Sequence, residues 1–147
     1  MVKNLKTLDI RLQLPLSKNE SDEDSDCTFA LFQAFLNGHH SQLKELRLRN
    51  FFCRDMGLHI ARTLLFGVVP ALKVLELSNC AIGERGALAL CEALRCRETD
   101  LVELDLRGNT LTDRDAEDFG WIMAKFPSEV QSLERIDFRE NYVTPEW

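Results

Sequence analysis

The stretch Leu101-Val-Glu-Leu104-Asp-Leu106-Arg-Gly-Asn109-Thr-Leu111 decides the fold, because its pattern L-x-x-L-x-L-x-x-N-x-L recurs along the chain. Four other segments repeat the pattern with varying fidelity. They are Leu5-Leu8-Ile10, Leu43-Leu46-Leu48-Phe51-Cys53, Leu72-Leu75-Leu77-Cys80-Ile82 and Leu133-Ile136-Phe138-Asn141-Val143. The first leucines lie at positions 5, 43, 72, 101 and 133, and a spacing of 29 residues occurs twice. The chain is therefore predicted to consist of repeated units that stack on one another.

Each unit is predicted to begin with a strand. In Leu104-Asp105-Leu106 apolar and charged residues alternate, so the leucines should face a core while the charges face away from it. Asn109 and Asn141 follow where the chain turns, and a buried amide there can satisfy backbone groups of neighbouring turns. Cys80 takes the same place in its unit, where a thiol can donate only weakly.

A helix is predicted after each strand. Between Gly86 and Leu94 apolar residues recur at positions 87, 90, 91 and 94, as on one face of a helix. A second helix is predicted from Asp115 to Lys125, with Thr112 as its N-cap. Its predicted core positions are Ala116, Phe119, Met123 and Phe126. Trp121 falls on the solvent side of this helix, where it would either anchor an interface or lie flat over the neighbouring helix. Residues 56–65 and 28–36 are predicted to form the remaining helices.

The 29-residue step, Cys80 in place of asparagine and the small-residue helix from Gly86 to Leu94 resemble ribonuclease-inhibitor-type leucine-rich repeats. The second unit departs from that pattern at Phe51 and Cys53. The resemblance implies an α/β fold: a right-handed leucine-rich-repeat solenoid with a curved parallel sheet on the concave face and helices on the convex face. It implies a single domain over residues 1–147, with units starting near 5, 43, 72, 101 and 133 and an acidic insertion at 17–27.

Composition narrows the classes of function. The 147 residues carry a formal net charge of −6, which argues against nucleic acid as a partner. The sequence has no apolar run long enough for a membrane helix and no signal-peptide core, so no membrane association is expected. The five cysteines are scattered rather than framed, which favours a reducing compartment, the cytoplasm or the nucleus. No sequence motif indicates a metal ion or another cofactor.

Charged residues fill the strand positions that face away from the predicted core. Side by side in a parallel sheet they would form an acidic stripe next to a basic one, about 4.8 Å from strand to strand. These candidate partner-binding residues are Arg47, Arg49, Glu76, Glu103, Asp105, Arg107, Arg135, Asp137 and Arg139. One interpretation is a surface that binds a protein of complementary charge. The other is that neighbouring charges only neutralise each other and keep the face hydrated. The groove should be open to water, so no shifted pKa is expected there.

The acidic tract Ser21-Asp-Glu-Asp-Ser-Asp26 lengthens the first unit. It lacks the glycine of a calcium loop and has Gln33 at that loop's twelfth position, so a solvated insertion is favoured over a calcium site. Ser21 and Ser25 precede acidic residues and could also be phosphorylated by an acid-directed kinase.

The sequence contains no catalytic motif, and the protein is predicted not to be an enzyme. The favoured function is a protein–protein interaction scaffold that binds its partner through the concave strand face, as the recognition part of a larger adaptor or sensor. The alternative is a GTPase-activating regulator of a small GTPase, resembling Ran GTPase-activating proteins, in which a rim arginine or asparagine would act. Neither end of the repeat stack has an evident polar cap. This predicts a fragment of a longer repeat protein, or a chain whose uncapped ends meet a partner or self-associate. The alternative is that the first unit, which matches the pattern poorly, acts as an atypical N-terminal cap.

Overall fold

The computed structural model describes residues 5–11, 40, 42–50, 56–65, 69–96, 100–128 and 130–144. Its centre is one sheet of five parallel strands in chain order. The strands are β1 (Thr7–Arg11), β2 (Glu45–Arg49), β3 (Val74–Ser78), β4 (Glu103–Asp105) and β5 (Arg135–Asp137). Since sequential strands are neighbours and all run in one direction, the predicted α/β solenoid is confirmed.

Three described helices alternate with the later strands. They are α1 (Met56–Leu65), α2 (Gly83–Cys96) and α3 (Asp113–Lys125). The helix predicted over 28–36 lies outside the described residues, as do the acidic insertion at 17–27 with Ser21 and Ser25, and the pattern departures at Phe51 and Cys53.

The strands pair in the register that the repeat predicts. Leu46 pairs with Leu75, Leu75 with Leu104 and Leu104 with Ile136, so one apolar residue of each unit joins a single row. The three leucines are at most 1% exposed, because the helices cover this side of the sheet. The opposite side of the sheet, called the concave face below, carries the charged residues that alternate with the row.

Asparagine side chains hold successive turns together. The Oδ1 atom of Asn109 accepts hydrogen bonds from the backbone N–H groups of Cys80, at 2.9 Å, and Ile82, at 3.3 Å. Its Nδ2 atom donates to the carbonyl of Leu77 at 2.7 Å. Asn141 accepts in turn from the backbone N–H of Asn109 at 2.7 Å. The predicted ladder is confirmed, with Asn109 fully buried and Asn141 half-buried. It satisfies backbone groups that no strand or helix can satisfy.

Cys80 occupies the asparagine position of its unit, as the repeat predicts. Its thiol is fully buried and donates to the carbonyl oxygens of Leu48, at 3.3 Å, and Ser78, at 3.4 Å. A thiol has one weak S–H donor, which these two carbonyl oxygens share, where Asn109 uses both ends of an amide.

The contact between α1 and α2 depends on two glycines. A Cβ atom added to Gly57 would overlap the backbone of Gly86, so the two helices approach more closely there than any side chain allows. At the start of α3, Asp115 accepts hydrogen bonds from the backbone N–H of Thr112, at 2.8 Å, and from its hydroxyl, at 3.1 Å. Thr112 is the N-cap, as predicted, and the helix begins at Asp113, two residues before the predicted start.

The core prediction for α3 is wrong at one position. Met123 is 40% exposed, whereas Ile122 is buried beside Phe119. Met123 lies instead in an apolar groove of about 430 Å³ on the far side of the last unit, together with Ile136 and Val143. The equivalent side of α2 is covered by α3, but no described helix covers this side of α3. Met123 follows the predicted helical periodicity, and it is exposed because no described helix packs on this side of α3.

Trp121 lies on the solvent side of α3, as predicted, and is 54% exposed. Its ring meets Phe126, the C-cap of its own helix, edge-on at a centroid distance of 5.6 Å. The guanidinium of Arg95 from α2 covers the ring of Phe126.

Candidate functional site

The charged residues of the concave face form columns across the strands. Strand pairing aligns Asp9 with Arg47, Arg47 with Glu76, Glu76 with Asp105 and Asp105 with Asp137. A parallel column contains Thr7, Glu45, Val74, Glu103 and Arg135. Arg49 pairs with Ser78 in the next column, and Arg107 and Arg139 contact Asp105 and Asp137. All nine candidate residues named from the sequence therefore lie on one surface, with opposite charges mixed both along and across the strands.

Glu76 is the centre of an ion-pair network. Its Oε1 atom accepts from Arg49 Nε at 2.6 Å and from the Ser78 hydroxyl at 3.0 Å. Its Oε2 atom accepts from Arg47 Nη1 and Arg49 Nη2, both at 3.0 Å. Arg107 Nη2 lies 3.7 Å from Oε1. One carboxylate thus holds arginines from strand β2 and from the turn after β4.

The network lowers the pKa of Glu76. This differs from the expectation that the groove is open to water and contains no shifted pKa. Glu76 is only 2% exposed, because the arginine side chains cover it. Burial alone would raise its pKa, but the hydrogen bonds from Arg49, Arg47 and Ser78 outweigh burial and lower the pKa to about 2. Glu76 is therefore a fixed negative charge at neutral pH.

Two aspartates repeat one motif in the following units. Asp105 accepts from the backbone N–H of Arg107 at 3.0 Å, and its Oδ2 lies 2.8 Å from Arg107 Nη2. Asp137 and Arg139 make the same pair of contacts, at 3.0 and 2.6 Å. The hydrogen bond from Arg139 lowers the pKa of Asp137. Each aspartate pairs with the arginine two residues later, and this pairing fixes the orientation of both arginines.

Exposure divides the nine residues into two groups. Glu76 and Asp105 are buried beneath the network. Arg135 and Arg139 are the most exposed, with 67% and 73% of their side chains accessible. Arg135 pairs with Glu103 at 2.6 Å. A partner would therefore touch the arginines first, while the buried carboxylates act by holding arginines in place.

The structure adds residues that the sequence did not single out. Ser78 occupies the position that Arg49 and Arg107 take in neighbouring units, and its small side chain leaves a notch in the face. Asn79 also lines the notch, with a backbone φ of 52°. The sequence shows that a serine interrupts a column of arginines. Only the structure shows that both flanking arginines bend towards Glu76.

Comparison with known families agrees with this architecture. Residues 70–91 and 99–120 each match a family model described as a leucine-rich repeat. The two matched segments contain the strands β3 and β4, and each begins two residues before a leucine of the repeat pattern, Leu72 or Leu101. With the parallel sheet, these matches support a leucine-rich repeat family and an α/β solenoid of that type. No curated protein matches the chain in sequence.

Leucine-rich repeats generally mediate protein–protein interaction and are typically non-enzymatic modules. Within the described ranges, no group of His, Cys, Asp or Glu side chains could hold a metal ion. In the same part of the chain, no helix is long and apolar enough to cross a membrane. The GTPase alternative called for a rim arginine or asparagine. The two asparagines of the ladder are committed to backbone groups, and no observation distinguishes one arginine for that role.

Proposed function

We propose that the protein is an interaction scaffold that binds a protein partner through the concave face. The observation that carries the proposal is the ordered charge network across all five strands. Glu76, Asp105 and Asp137 hold arginines from several units in fixed orientations. A surface whose long side chains are already ordered loses less conformational entropy when a partner binds.

The polarity of the concave face favours a macromolecule over a small ligand. Small-molecule sites are usually concave, mostly apolar cavities, whereas this surface is polar. Its described cationic and anionic side chains alternate, from Arg49 beside Asp9 to Arg135 beside Glu103. Recognition would therefore depend on the pattern of charges rather than on an excess of one sign.

The proposal is tested by reversing the charge of exposed arginines on the concave face, where the fold tolerates a substitution. Arg107 is unsuitable, because its loss would leave the buried Asp105 without its pairing guanidinium. The double variant Arg135→Glu/Arg139→Glu changes two exposed side chains of the face instead. A matched control, Arg85→Glu/Arg114→Glu, makes the same change in exposed positions on helices α2 and α3.

Tagged wild-type and variant proteins would be used for affinity capture from cell extract, with the bound proteins quantified by mass spectrometry. We expect the concave variant to capture at least about tenfold less of a specific partner than the wild-type protein. A tenfold weaker affinity corresponds to about 1.4 kcal/mol of binding free energy. The helical control should retain that partner. Equal capture by wild-type protein and the concave variant, with loss in the helical control, would place binding on the helices and contradict the proposal.

We further propose that the repeats are of the ribonuclease-inhibitor type and serve as the recognition part of an adaptor or sensor. The 29-residue step, the buried thiol of Cys80 and the close contact between Gly57 and Gly86 support this assignment. Ubiquitin-ligase or sensor subunits among the captured proteins would support the role. A captured small GTPase whose hydrolysis rate rises on addition of the protein would contradict it.

A further inference from the structure

The notch at Ser78 interrupts a column of arginines on the concave face. Arg49 and Arg107 flank it, Arg11 lies at its outer side, and its volume is about 250 Å³. This is enough for several water molecules, each of which takes about 30 Å³ in the liquid, and thus for one small polar group. The notch is therefore the place where a partner's side chain could enter the charge network.

The Glu76 carboxylate, which lines the notch, already has its hydrogen-bond partners. Glu76 accepts four hydrogen bonds from Arg47, Arg49 and Ser78, so its carboxylate has little capacity left for a cation. Its effect is to hold the flanking guanidiniums in place. A positively charged group entering the notch would meet arginines before it met this buried carboxylate.

Donors remain available at the walls. A guanidinium has five N–H groups, and the hydrogen bonds and ion pairs of Arg107 involve only its Nε and Nη2 atoms. Arg11 is exposed and makes no ion pair with another described residue. Planar guanidinium groups match the oxygen pairs of carboxylates and phosphates, and charged hydrogen bonds of this kind are the stronger ones.

We propose that the notch lined by Arg11, Arg49, Ser78 and Arg107 is an oxyanion subsite that takes one carboxylate or phosphate group from a side chain of the bound protein. This rests on the proposed function, since the group belongs to the partner that the concave face binds. Glu140 lies at the rim of the notch and opposes an anion there. The subsite is thus selective, because an anion must align with the guanidiniums and avoid Glu140.

The experiment is an NMR titration of the full chain with three short peptides. The probes are acetyl-Gly-Glu-Gly-amide, the same peptide with phosphoserine, and a neutral control with glutamine. The readouts are the Nε–H signals of Arg49 and Arg107 and the side-chain amide of Asn79, which line the notch. At least one anionic peptide should shift these signals with a Kd of about 1–10 mM, while the glutamine peptide leaves them in place. The two anionic arms identify which oxyanion is preferred.

Variants separate the notch from general charge attraction. Ser78→Arg continues the arginine column and fills the notch, so we expect binding to be lost although a positive charge is added. Arg11→Gln should weaken binding at least about threefold, and Glu140→Gln should strengthen it. Arg114→Gln, on helix α3, should leave the Kd unchanged. Circular dichroism verifies each fold, and the exposed changes at 11 and 140 carry the test where Ser78→Arg does not fold.

The inference is overturned if neither anionic peptide moves the notch signals, or if folded Ser78→Arg binds as tightly as wild-type protein. Its failure is distinguishable from failure of the proposed function. A partner whose capture depends on Arg135 and Arg139 while the peptides do not bind would refute the subsite alone. Peptide binding that depends on Arg11, with no captured partner dependent on Arg135 and Arg139, would refute the broader concave interface and leave only the oxyanion binding of the notch.

Discussion

A single buried amide at Asn109 joins three successive units of the solenoid. Its side chain serves Cys80 and Leu77 in the preceding unit, and its backbone N–H donates to Asn141 in the following one. The sequence predicted this role from position alone, because an asparagine at a turn in a regular repeat has few other uses. What it could not give were the individual partners.

Asn109→Ala should lower the free energy of unfolding by about 3 kcal/mol, because it leaves buried backbone groups of several residues without partners. Asn109→Cys should cost less, since Cys80 shows that a thiol is tolerated at this position. Urea denaturation measures both. The exposed change Glu117→Ala in α3 is the control and should change stability by less than about 0.5 kcal/mol. A similarly small effect of Asn109→Ala would contradict the role of the ladder.

Glu76 illustrates what the sequence could not show. Alternation placed it correctly on the charged face, but its burial depends on how arginines from other strands fold over it. Side-chain conformations of that kind are set by tertiary contacts rather than by the local pattern. The same holds for the notch at Ser78, which exists only because the flanking arginines bend towards Glu76.

Stability should depend on pH through Glu76. Its pKa falls from an ordinary 4.5 to about 2 on folding, so its contribution is complete above pH 4.5 and is lost as the pH falls towards 2. The shift corresponds to about 3 kcal/mol. Glu76→Gln should therefore be less stable than wild-type protein at pH 7, by an amount that shrinks between pH 4.5 and 2. Urea denaturation across this range tests the prediction, with the exposed Glu134→Gln as the control. A difference that does not vary with pH would contradict it.

At the scale of elements, the repeat pattern predicted strands and helices well, since both depend on local periodicity. The packing of helices against each other could not be predicted from the repeat pattern. The contact of α1 with α2 places Gly57 against Gly86, and only the assembled solenoid shows that these two glycines meet.

Gly57→Ala should destabilise the protein by about 1–3 kcal/mol, because the added Cβ forces the two helix backbones apart. Alanine would otherwise stabilise a helix by up to about 1 kcal/mol relative to glycine. The exposed Gly120 of α3 provides the matched control, and Gly120→Ala should be neutral or stabilising. Thermal unfolding monitored by circular dichroism distinguishes the two. A gain in stability from Gly57→Ala would contradict the close helix contact.

At the scale of the whole molecule, position in the stack decides whether an apolar residue is buried. Phe119 is 2% exposed and Met123 is 40% exposed, although both follow the same helical periodicity. The difference arises because each unit covers its predecessor, whereas the described residues place no helix beyond α3. A periodicity argument within one helix cannot contain this information.

Phe119→Ala should cost about 3–5 kcal/mol, because it leaves a cavity in the core, while Met123→Ala should cost less than about 1 kcal/mol. Urea denaturation of the two variants provides a matched comparison within one helix. Equal losses would show that the outer side of α3 is covered.

Self-association through the ends of the stack stays a prediction. Sedimentation velocity of wild-type protein and Met123→Glu checks it, and a monomeric wild type would contradict it.

Consecutive units place equivalent residues side by side in one parallel ladder. The most direct test is the set of amide NOEs between neighbouring strands in deuterated protein with protonated amides. The structure predicts cross-peaks that connect the segments around Leu46, Leu75, Leu104 and Ile136 in this order and register. A shift by one residue would move every charge of the concave face into the core. Cross-peaks in a shifted register, or none between these segments, would contradict the account.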